Sequence, residues 1–545
     1  MSTAVSPATD QAVAEYDAVV IGAGIAGLYQ LYRLREMGLR VCALDAAADV
    51  GGTWYWNCYP GARVDSHSYV YQYWFSEELL QEWNWQERFP AQPETERYLR
   101  FVADKFDLRK DIRFNRRVVS ARWDDQAQRW TLITEGGEVL RAQFFVSCAG
   151  MLSAPLVPPF PGHERYRGVI AHTARWPRAG LDLAGKRVGV VGTGATGIQV
   201  IQTIASEVAE LKVFQRTPQY AVAMRNDRYD DQDRAALRAR YPELRAQVRN
   251  TFAGFATDFA YQPGEYYRMT PEQRREALEK LWAEGSLDFW LGGFPELVTD
   301  PAASEEVSEF VRGKIRARIQ DPVLAEKLVP YSYGFGTYRV PLETGYYDVF
   351  NRDNVELVDV RQTPISGFTE NGLVVGGREY ELDVVVLATG FDAGTGALTR
   401  MDVHGRAGRS LSDLWHRDIR SALGLQVHGF PNLFTVAGPL APSTAFCNMT
   451  TCLQYQVDWV TDCIAWLRDH GHTAIEPTAE KEEEWVRHHD EVAAATLMMR
   501  TTSWYTGANV EGKPRRLLSY IGGAGNYHRI CDEVKASGYA GFQVA

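Results

Sequence analysis

Two glycine-rich hexamers set 170 residues apart constrain this chain more than any other feature. The first, Gly22-Ala-Gly24-Ile-Ala-Gly27, follows the apolar run 18–21 and opens a segment, 28–37, whose apolar residues recur at helical spacing. Gly38 stops that helix, and 39–44 reads as a second strand closed by Asp45. The second hexamer, Gly192-Thr-Gly194-Ala-Thr196-Gly197, has the same surroundings: a strand over 186–191, a helix over 198–209 and a strand over 211–214. Strand, tight turn, helix and strand in that order begin a parallel α/β unit. Glycines at these places let the backbone approach a pyrophosphate, and the helix N-terminus behind them presents N–H donors and the positive end of its dipole. Two such turns predict two dinucleotides in one chain, and the reason to hold both is to pass electrons between them.

The two units differ where a ribose would lie. Asp45 stands 18 residues after Gly27, the place of a carboxylate that accepts hydrogen bonds from a ribose hydroxyl. An N-terminal unit of this kind is typical of FAD binding, and Gly51-Gly52-Thr53-Trp54 would lay further backbone against the same cofactor. At the same offset after Gly197 stands Gln215, followed by Arg216 and Thr217. Arg216 offers a permanently charged fork suited to a 2′-phosphate, so NADPH is expected in preference to NADH.

At 545 residues the chain predicts about three domains. Pro155, Pro158, Pro159 and Pro161 mark a connection, 226–330 reads as helices, and strand-like text returns at 355–360 and 382–389. Residues 1–15 are small and polar, a tail without expected structure. The net charge of -11 argues against nucleic acid or an anionic membrane as partner. No apolar run approaches the ~18 residues of a membrane span. The acidic run 480–485 reads as a solvated helix face. No targeting signal is visible and the seven cysteines are scattered, so a cytoplasmic protein with free thiols and no metal site is expected. A disulfide reductase would need a cysteine pair close to the first turn, whereas Cys447 and Cys452 come about 420 residues after Gly27.

Between the hexamers runs Tyr166-Arg-Gly168-Val-Ile-Ala-His172-Thr-Ala-Arg-Trp176-Pro177. An aromatic residue, x, Gly, three residues, His, three residues and Trp-Pro resembles the signature of the FAD- and NADPH-dependent Baeyer–Villiger monooxygenases, with Tyr166 in place of the commoner Phe. Gly51 to Asn57, Tyr59 to Asp65, Phe214 to Pro218, Ala388 to Asp392, and Ser503-Trp504-Tyr505 with Asn509 and Gly512-Lys513 match as well, so the resemblance runs nearly end to end. It implies an α/β fold of two Rossmann-like dinucleotide-binding domains with a helical insertion. The FAD-binding domain would take 1–154 and 391–545, the NADP-binding domain 155–225 and 331–390, and the insertion 226–330. The implied activity inserts one atom of O2 beside a ketone carbonyl to give an ester or lactone, through a flavin C4a-peroxide formed after NADPH reduces the flavin. A flavin monooxygenase acting mainly on nitrogen or sulfur, and a non-catalytic flavin redox sensor, are the alternatives.

By the same resemblance Arg339, in Phe335-Gly-Thr-Tyr338-Arg339, is the cation that keeps the oxygenated flavin anionic, and Asp65 is the carboxylate that holds Arg339 beside the flavin. Trp504 would pack over the nicotinamide, and Asp392 would contact NADP or the domain interface. His172 is either catalytic or, the preferred reading, a hinge between domains. The loop 438–448 is expected to line the substrate pocket, with Phe446 and Met449 as wall residues. Tyr338 departs from the family, which usually has Lys before the Arg to help hold the 2′-phosphate. That leaves Arg216 and Thr217 to select NADPH, and the selectivity is expected to be weaker. Which ketone is oxidised, and the oligomeric state, do not follow from the sequence.

Overall fold

The computed structural model describes residues 13–444 and 446–545. The expected tail over 1–15 lies outside them up to residue 12, and Ala14 and Glu15 already belong to the first strand. That strand, Ala14–Ile21, sits in the interior of an eight-stranded sheet. It pairs in parallel with Val41–Leu44 on one side and Val139–Ser147 on the other. Ala18, Val19 and Val20 are fully buried, as a strand covered on both faces requires. The sheet then changes character: Val118–Asp124, Arg129–Thr134 and Val139–Ser147 run antiparallel, an arrangement the parallel text around them does not announce. The late strands Asp402–His404 and Leu433–Thr435 join the same sheet. The helix Met449–Asp469 covers the first helix, Ile25–Glu36. Tyr29 there donates to Asp458 at 2.7 Å, and Gln30 to Thr461 at 3.1 Å.

The second sheet is parallel throughout, in the order Val355–Asp359, Glu210–Gln215, Arg187–Val191, Val384–Leu387, Val169–His172. A small antiparallel meander, Ile365–Phe368, Gly372–Val375 and Arg378–Glu381, precedes its last-added central strand. Between 226 and 330 every regular element is helical. Their starts carry side-chain caps: Asp230 with Asp233 and Thr270 with Gln273 form reciprocal boxes, and Asp300 accepts from Ala302 and Ala303. Val307 and Val311 of the longest of these helices share one core with Val188, Ile201 and Leu211 of the second sheet's unit.

The chain passes between the sheets twice, over 154–156 and 390–392, and the two passages lie side by side. Leu156 N–H donates to Gly390 O at 2.9 Å and Asp392 N–H to Ala154 O at 2.8 Å.

Two expectations are corrected. The run 480–485 is not wholly solvated: Glu482 is 2% exposed, and its carboxylate accepts from Arg420 at 2.6 Å and from His428 N–H at 2.9 Å. Helical periodicity turns that one acid inward, beside the buried Trp485. The thiols are not all free either. Cys447 and Cys452 form a disulfide with Cα atoms 6.3 Å apart across the entry to the helix Met449–Asp469, while the other five cysteines are free. Among the described residues no helix is long and apolar enough to cross a membrane, and no metal-binding cluster is found.

Removing Glu482 leaves the partly buried Arg420 with only its more exposed partners. We expect Glu482→Ala to cost about 3 kcal/mol in a denaturant titration, whereas Glu484→Ala, at an exposed position of the same helix, should change stability by less than about 0.5 kcal/mol.

Candidate active site

The first glycine turn opens onto a cavity of about 490 Å3. Gly22, Gly24, Asp45, Gly52, Thr53 and Trp54 all line it. A Cβ on Gly52, at φ +53°, would stand 2.8 Å from Gly24 Cα, so the turn and the downstream loop face each other with only hydrogens between them. Gly27 lies against Gly22 O, where the helix meets the turn. Asp45 is 7% exposed; one carboxylate oxygen accepts from Ala23 N–H at 2.6 Å and the other from Ala47 N–H at 2.7 Å. Burial raises its pKa against these two hydrogen bonds. Each carboxylate oxygen has a further lone pair to offer a ribose. This narrow cradle, ending in a carboxylate, fits the adenosine and pyrophosphate of FAD.

The second turn fits a dinucleotide in the same way. A Cβ on Gly194 would meet nothing within 4 Å, and Gly197 packs on Gly192 O as Gly27 does on Gly22 O. Arg216 is exposed and has no ion pair among the described residues. Thr217 O accepts from Thr193 Oγ1 at 2.9 Å, which ties the strand end carrying both candidates to the turn. Thr196 also lines the first cavity, so the two dinucleotide sites meet there. Three arginines on the wall of that cavity, Arg117, Arg175 and Arg400, were not foreseen. None has a carboxylate partner among the described residues, and Arg175 lies 4.5 Å above the Trp56 ring. Only the third dimension shows them as a cationic rim suited to pyrophosphate; as sequence, each is a lone arginine.

At the other end of the cavity, Thr444 and Met449 form the wall. Arg339 Nη2 is ion-paired with Asp65 Oδ2, and its Nη1 donates to Thr444 O at 3.2 Å. Both charged side chains are one-fifth exposed. The guanidinium also lies 5.9 Å from the Trp290 ring of the helical insertion. Burial opposes the charge on Arg339, but Asp65 and the neighbouring Tyr505 raise its pKa further, so the cation is permanent. Phe446 is not among the cavity-lining residues; it is 5% exposed and packs against Tyr505 with ring centres 5.3 Å apart. Ala445, within the expected pocket loop, lies outside the described residues.

The fingerprint has a mechanical logic. Tyr166 donates to Leu382 O at 2.9 Å, and its ring occupies the space a side chain on Gly168 would need. Trp176 is buried in the second core, and Pro177 O closes a turn with Gly180 N–H. His172 ends the edge strand, where its Nδ1 accepts from Ala174 N–H at 3.0 Å and its Nε2 faces Leu156 O at 3.2 Å. Burial lowers its pKa, so the ring is the neutral Nε2–H tautomer, pinned to the passage between the sheets. Asp392, on the return passage, pairs with the buried Lys513 at 2.7 Å. Asn509 donates to Phe391 O at 2.9 Å, so the C-terminal segment bearing Trp504 is held at this same junction. Tyr338, in the place of the family's lysine, packs at a tilt against Tyr333 with ring centres 4.5 Å apart and donates to Thr502 O.

Two cradles for dinucleotides that share a cavity, with a fixed cation bonded to the wall residue Thr444, define a flavoprotein oxidoreductase that uses a nicotinamide coenzyme. A family model described as flavin-binding monooxygenase-like matches residues 16–232. The chain is 56% identical over 530 residues to acetone monooxygenase (methyl acetate-forming) of Gordonia sp. (strain TY-5), covering 97% of this chain and 99% of that protein. Among solved structures it is similar to oxidised steroid monooxygenase bound to NADP (TM-score 0.92, 46% identity, 97% of this chain and 99% of that one). It is likewise similar to cyclohexanone monooxygenase in a closed crystal form (TM-score 0.95, 41% identity, 98% and 100%). The chain belongs to the Baeyer–Villiger monooxygenases, which use FAD and NADPH.

Two predictions follow from this geometry. Gly52→Ala closes the cradle against Gly24, and we expect the purified variant to carry far less flavin per chain by absorbance. The second concerns His67, two residues after Asp65, where burial and then Arg88 lower the imidazole pKa to about 3. An unfolded histidine protonates near 6.5, so the stabilisation is complete above about pH 6.5 and is lost as pH falls towards 3, at up to about 1.4 kcal/mol per pH unit. His67→Gln should flatten the acid side of the stability–pH curve between these limits.

Proposed function

We propose that this enzyme oxidises short-chain aliphatic ketones, converting acetone, O2, NADPH and a proton to methyl acetate, NADP+ and water. The 56% identity to acetone monooxygenase, against 41% to the cyclohexanone enzyme, supports the substrate class. The observation that carries the residue assignments is the Arg339–Asp65 pair, held through Thr444 O behind the wall of the cavity that the first glycine turn opens onto. Bound FAD would supply the oxygen-activating ring system and NADPH the hydride.

The protein's part is electrostatic. Arg339 holds a positive charge beside the reacting atoms at every working pH, which favours anionic oxygen over its protonated form. Asp65 and Thr444 O aim the guanidinium and leave it donors to spare. Trp290 shields it from bulk water, which strengthens its field. Gly22, Gly24, Gly27, Asp45, Gly52, Thr53 and Trp54 would hold FAD, and Gly192, Gly194, Thr196, Gly197, Arg216 and Thr217 would hold NADP, with Arg216 on the 2′-phosphate. Trp504 would close over the nicotinamide. Met449 would border the ketone, with Phe446 behind it. His172 and Asp392 would fix the junction between the two domains.

The test is ester formation by gas chromatography from acetone, 2-butanone and cyclohexanone, alongside NADPH consumption. We expect kcat/KM to be greatest for the acyclic ketones; a cyclohexanone preference would overturn the substrate class. Arg339→Ala should lower ester formation by about 10²–10³-fold while flavin reduction by NADPH persists, and Asp65→Ala by about 10–100-fold. Arg216→Ala should raise KM for NADPH by about tenfold, a loss of ~1.4 kcal/mol, and leave that for NADH unchanged.

A further inference from the structure

Five arginines line the cavity that the first glycine turn opens onto, against one acid, Asp45. Two of the five are already paired, Arg63 with Glu87 and Arg116 with Glu138 at 3.0 Å. Arg117, Arg175 and Arg400 are left, and each is exposed. Arg175 gives one N–H to Ala174 O at 2.7 Å and Arg400 one to Pro155 O at 3.3 Å, so most of their donors are uncommitted. Arg116 N–H donates to Asp45 O at 2.8 Å, which sets Arg117 beside the carboxylate suited to a ribose. Arg175 lies 4.5 Å from the centre of the Trp56 ring, in the short helix Thr53–Trp56 that follows Gly52. Arg400 caps the end of the helix Gly396–Thr399, whose Gly396 also lines the cavity. Partial burial, then repulsion from Arg117 and Arg400, lowers the Arg175 pKa, so the three charges feel one another. Like charges gathered on one wall without a carboxylate cost free energy until an anion joins them.

The three do not stand on one sheet. Arg117 and Arg400 come just before Val118–Asp124 and Asp402–His404 of the first sheet, while Arg175 follows directly on Val169–His172, the edge strand of the second. Pro155 and Phe391, from the two passages between the sheets, line the same wall. A diphosphate is the anion this arrangement suits, because guanidinium forks match phosphate oxygens two at a time. FAD and NADP both carry one. Gly22, Gly24 and Asp45 line this cavity whereas Gly192 and Gly194 do not, so the diphosphate of FAD is the one in reach.

We infer that Arg117, Arg175 and Arg400 clamp the diphosphate of FAD from both sheets, so that the bound cofactor itself holds the two sheets in their working arrangement. A ligand that touches both sides binds best the arrangement that puts both in reach, and it shifts the molecule towards that arrangement. Arg175 is the arm that makes the difference. Without it the clamp stands on the first sheet alone, and FAD would bind without regard to the second. The chain without FAD would hinge more freely about its paired passages than the loaded one, before any NADPH arrives.

The experiment titrates the full chain, freed of flavin, with FAD, with riboflavin and with NADP+. It also follows amide hydrogen exchange at Leu156 and Asp392, whose N–H groups bond across the two passages. We expect Arg117→Ala, Arg175→Ala and Arg400→Ala each to raise Kd for FAD about tenfold, ~1.4 kcal/mol. Riboflavin, which has no phosphate, should bind each variant as it binds the parent. Arg361→Ala, which removes an exposed arginine away from this wall, should change neither. Saturating FAD should slow exchange at Leu156 and Asp392 in the parent and in Arg117→Ala, and do so much less in Arg175→Ala. An FAD Kd within about twofold of the parent in Arg175→Ala, or a rise confined to NADP+, overturns the clamp. Equal exchange in the parent and Arg175→Ala, both with FAD bound, overturns its role in holding the sheets. Should a variant fail to fold, the parent decides: FAD affinity that added salt weakens no more than riboflavin affinity overturns the clamp as well.

Discussion

The ion pair between Arg339 and Asp65 spans 274 residues and sets the terms for the rest of the molecule. Two charges held largely out of water are costly unless each finds its partner and further hydrogen bonds. Arg339 has Asp65, the Thr444 carbonyl and the face of Trp290, which come from three different segments. The loop carrying it is fixed from both sides. Phe335 N–H donates to Ser308 Oγ of the insertion at 2.8 Å, and Thr337 Oγ1 accepts from Thr501 Oγ1 of the C-terminal segment at 2.8 Å. The helical insertion therefore does more than decorate the second sheet: without it the guanidinium would have no wall behind it.

The paired passages 154–156 and 390–392 are the mechanical counterpart. Two strands of chain between two sheets form a hinge, and hydrogen bonds across the pair restrict how it can bend. His172 and Thr389 both meet Leu156 O, so the edge strand and the return strand of the second sheet are tied to the outgoing passage. Asp392 and Lys513 then fasten the C-terminal segment to the return passage with a charge pair whose lysine is almost wholly buried. Removing one partner of a buried pair leaves an uncompensated charge and is costly, so this contact holds the C-terminal segment to the return passage.

The two glycine turns and the acid at the end of the second strand were legible because each depends on a short stretch of chain. Periodicity located the helices to within a few residues: the one after the second turn was expected over 198–209 and runs Ala195–Ile204. Other features depend on contacts that no local pattern encodes. The antiparallel strands Val118–Asp124 and Arg129–Thr134 alternate buried and exposed residues, but nothing in them says they would complete a parallel sheet. Glu482 reads as one more acid in an acidic run until Arg420, 62 residues earlier, turns out to face it. Cys447 and Cys452 looked too remote from the first turn to matter, yet they bracket the entry to the helix whose Met449 and Leu453 line the cavity.

Tyr338 shows how one substitution can move a job from one part of a site to another. A lysine there would add a second charge beside Arg216 for the phosphate of NADPH, at the cost of repulsion when the coenzyme is absent. Tyrosine gives up that charge and uses its hydroxyl on the Thr502 carbonyl instead, two residues before Trp504. On the proposed reading coenzyme recognition would then rest more heavily on Arg216, while the C-terminal segment gains an anchor to the very loop that carries Arg339. Two neighbours in sequence, Tyr338 and Arg339, thus connect the seating of the C-terminal segment to the placement of the cation. An enzyme that must keep water from its oxygen chemistry gains from that link, because the site that lacks its cover also lacks part of the support that aims its charge.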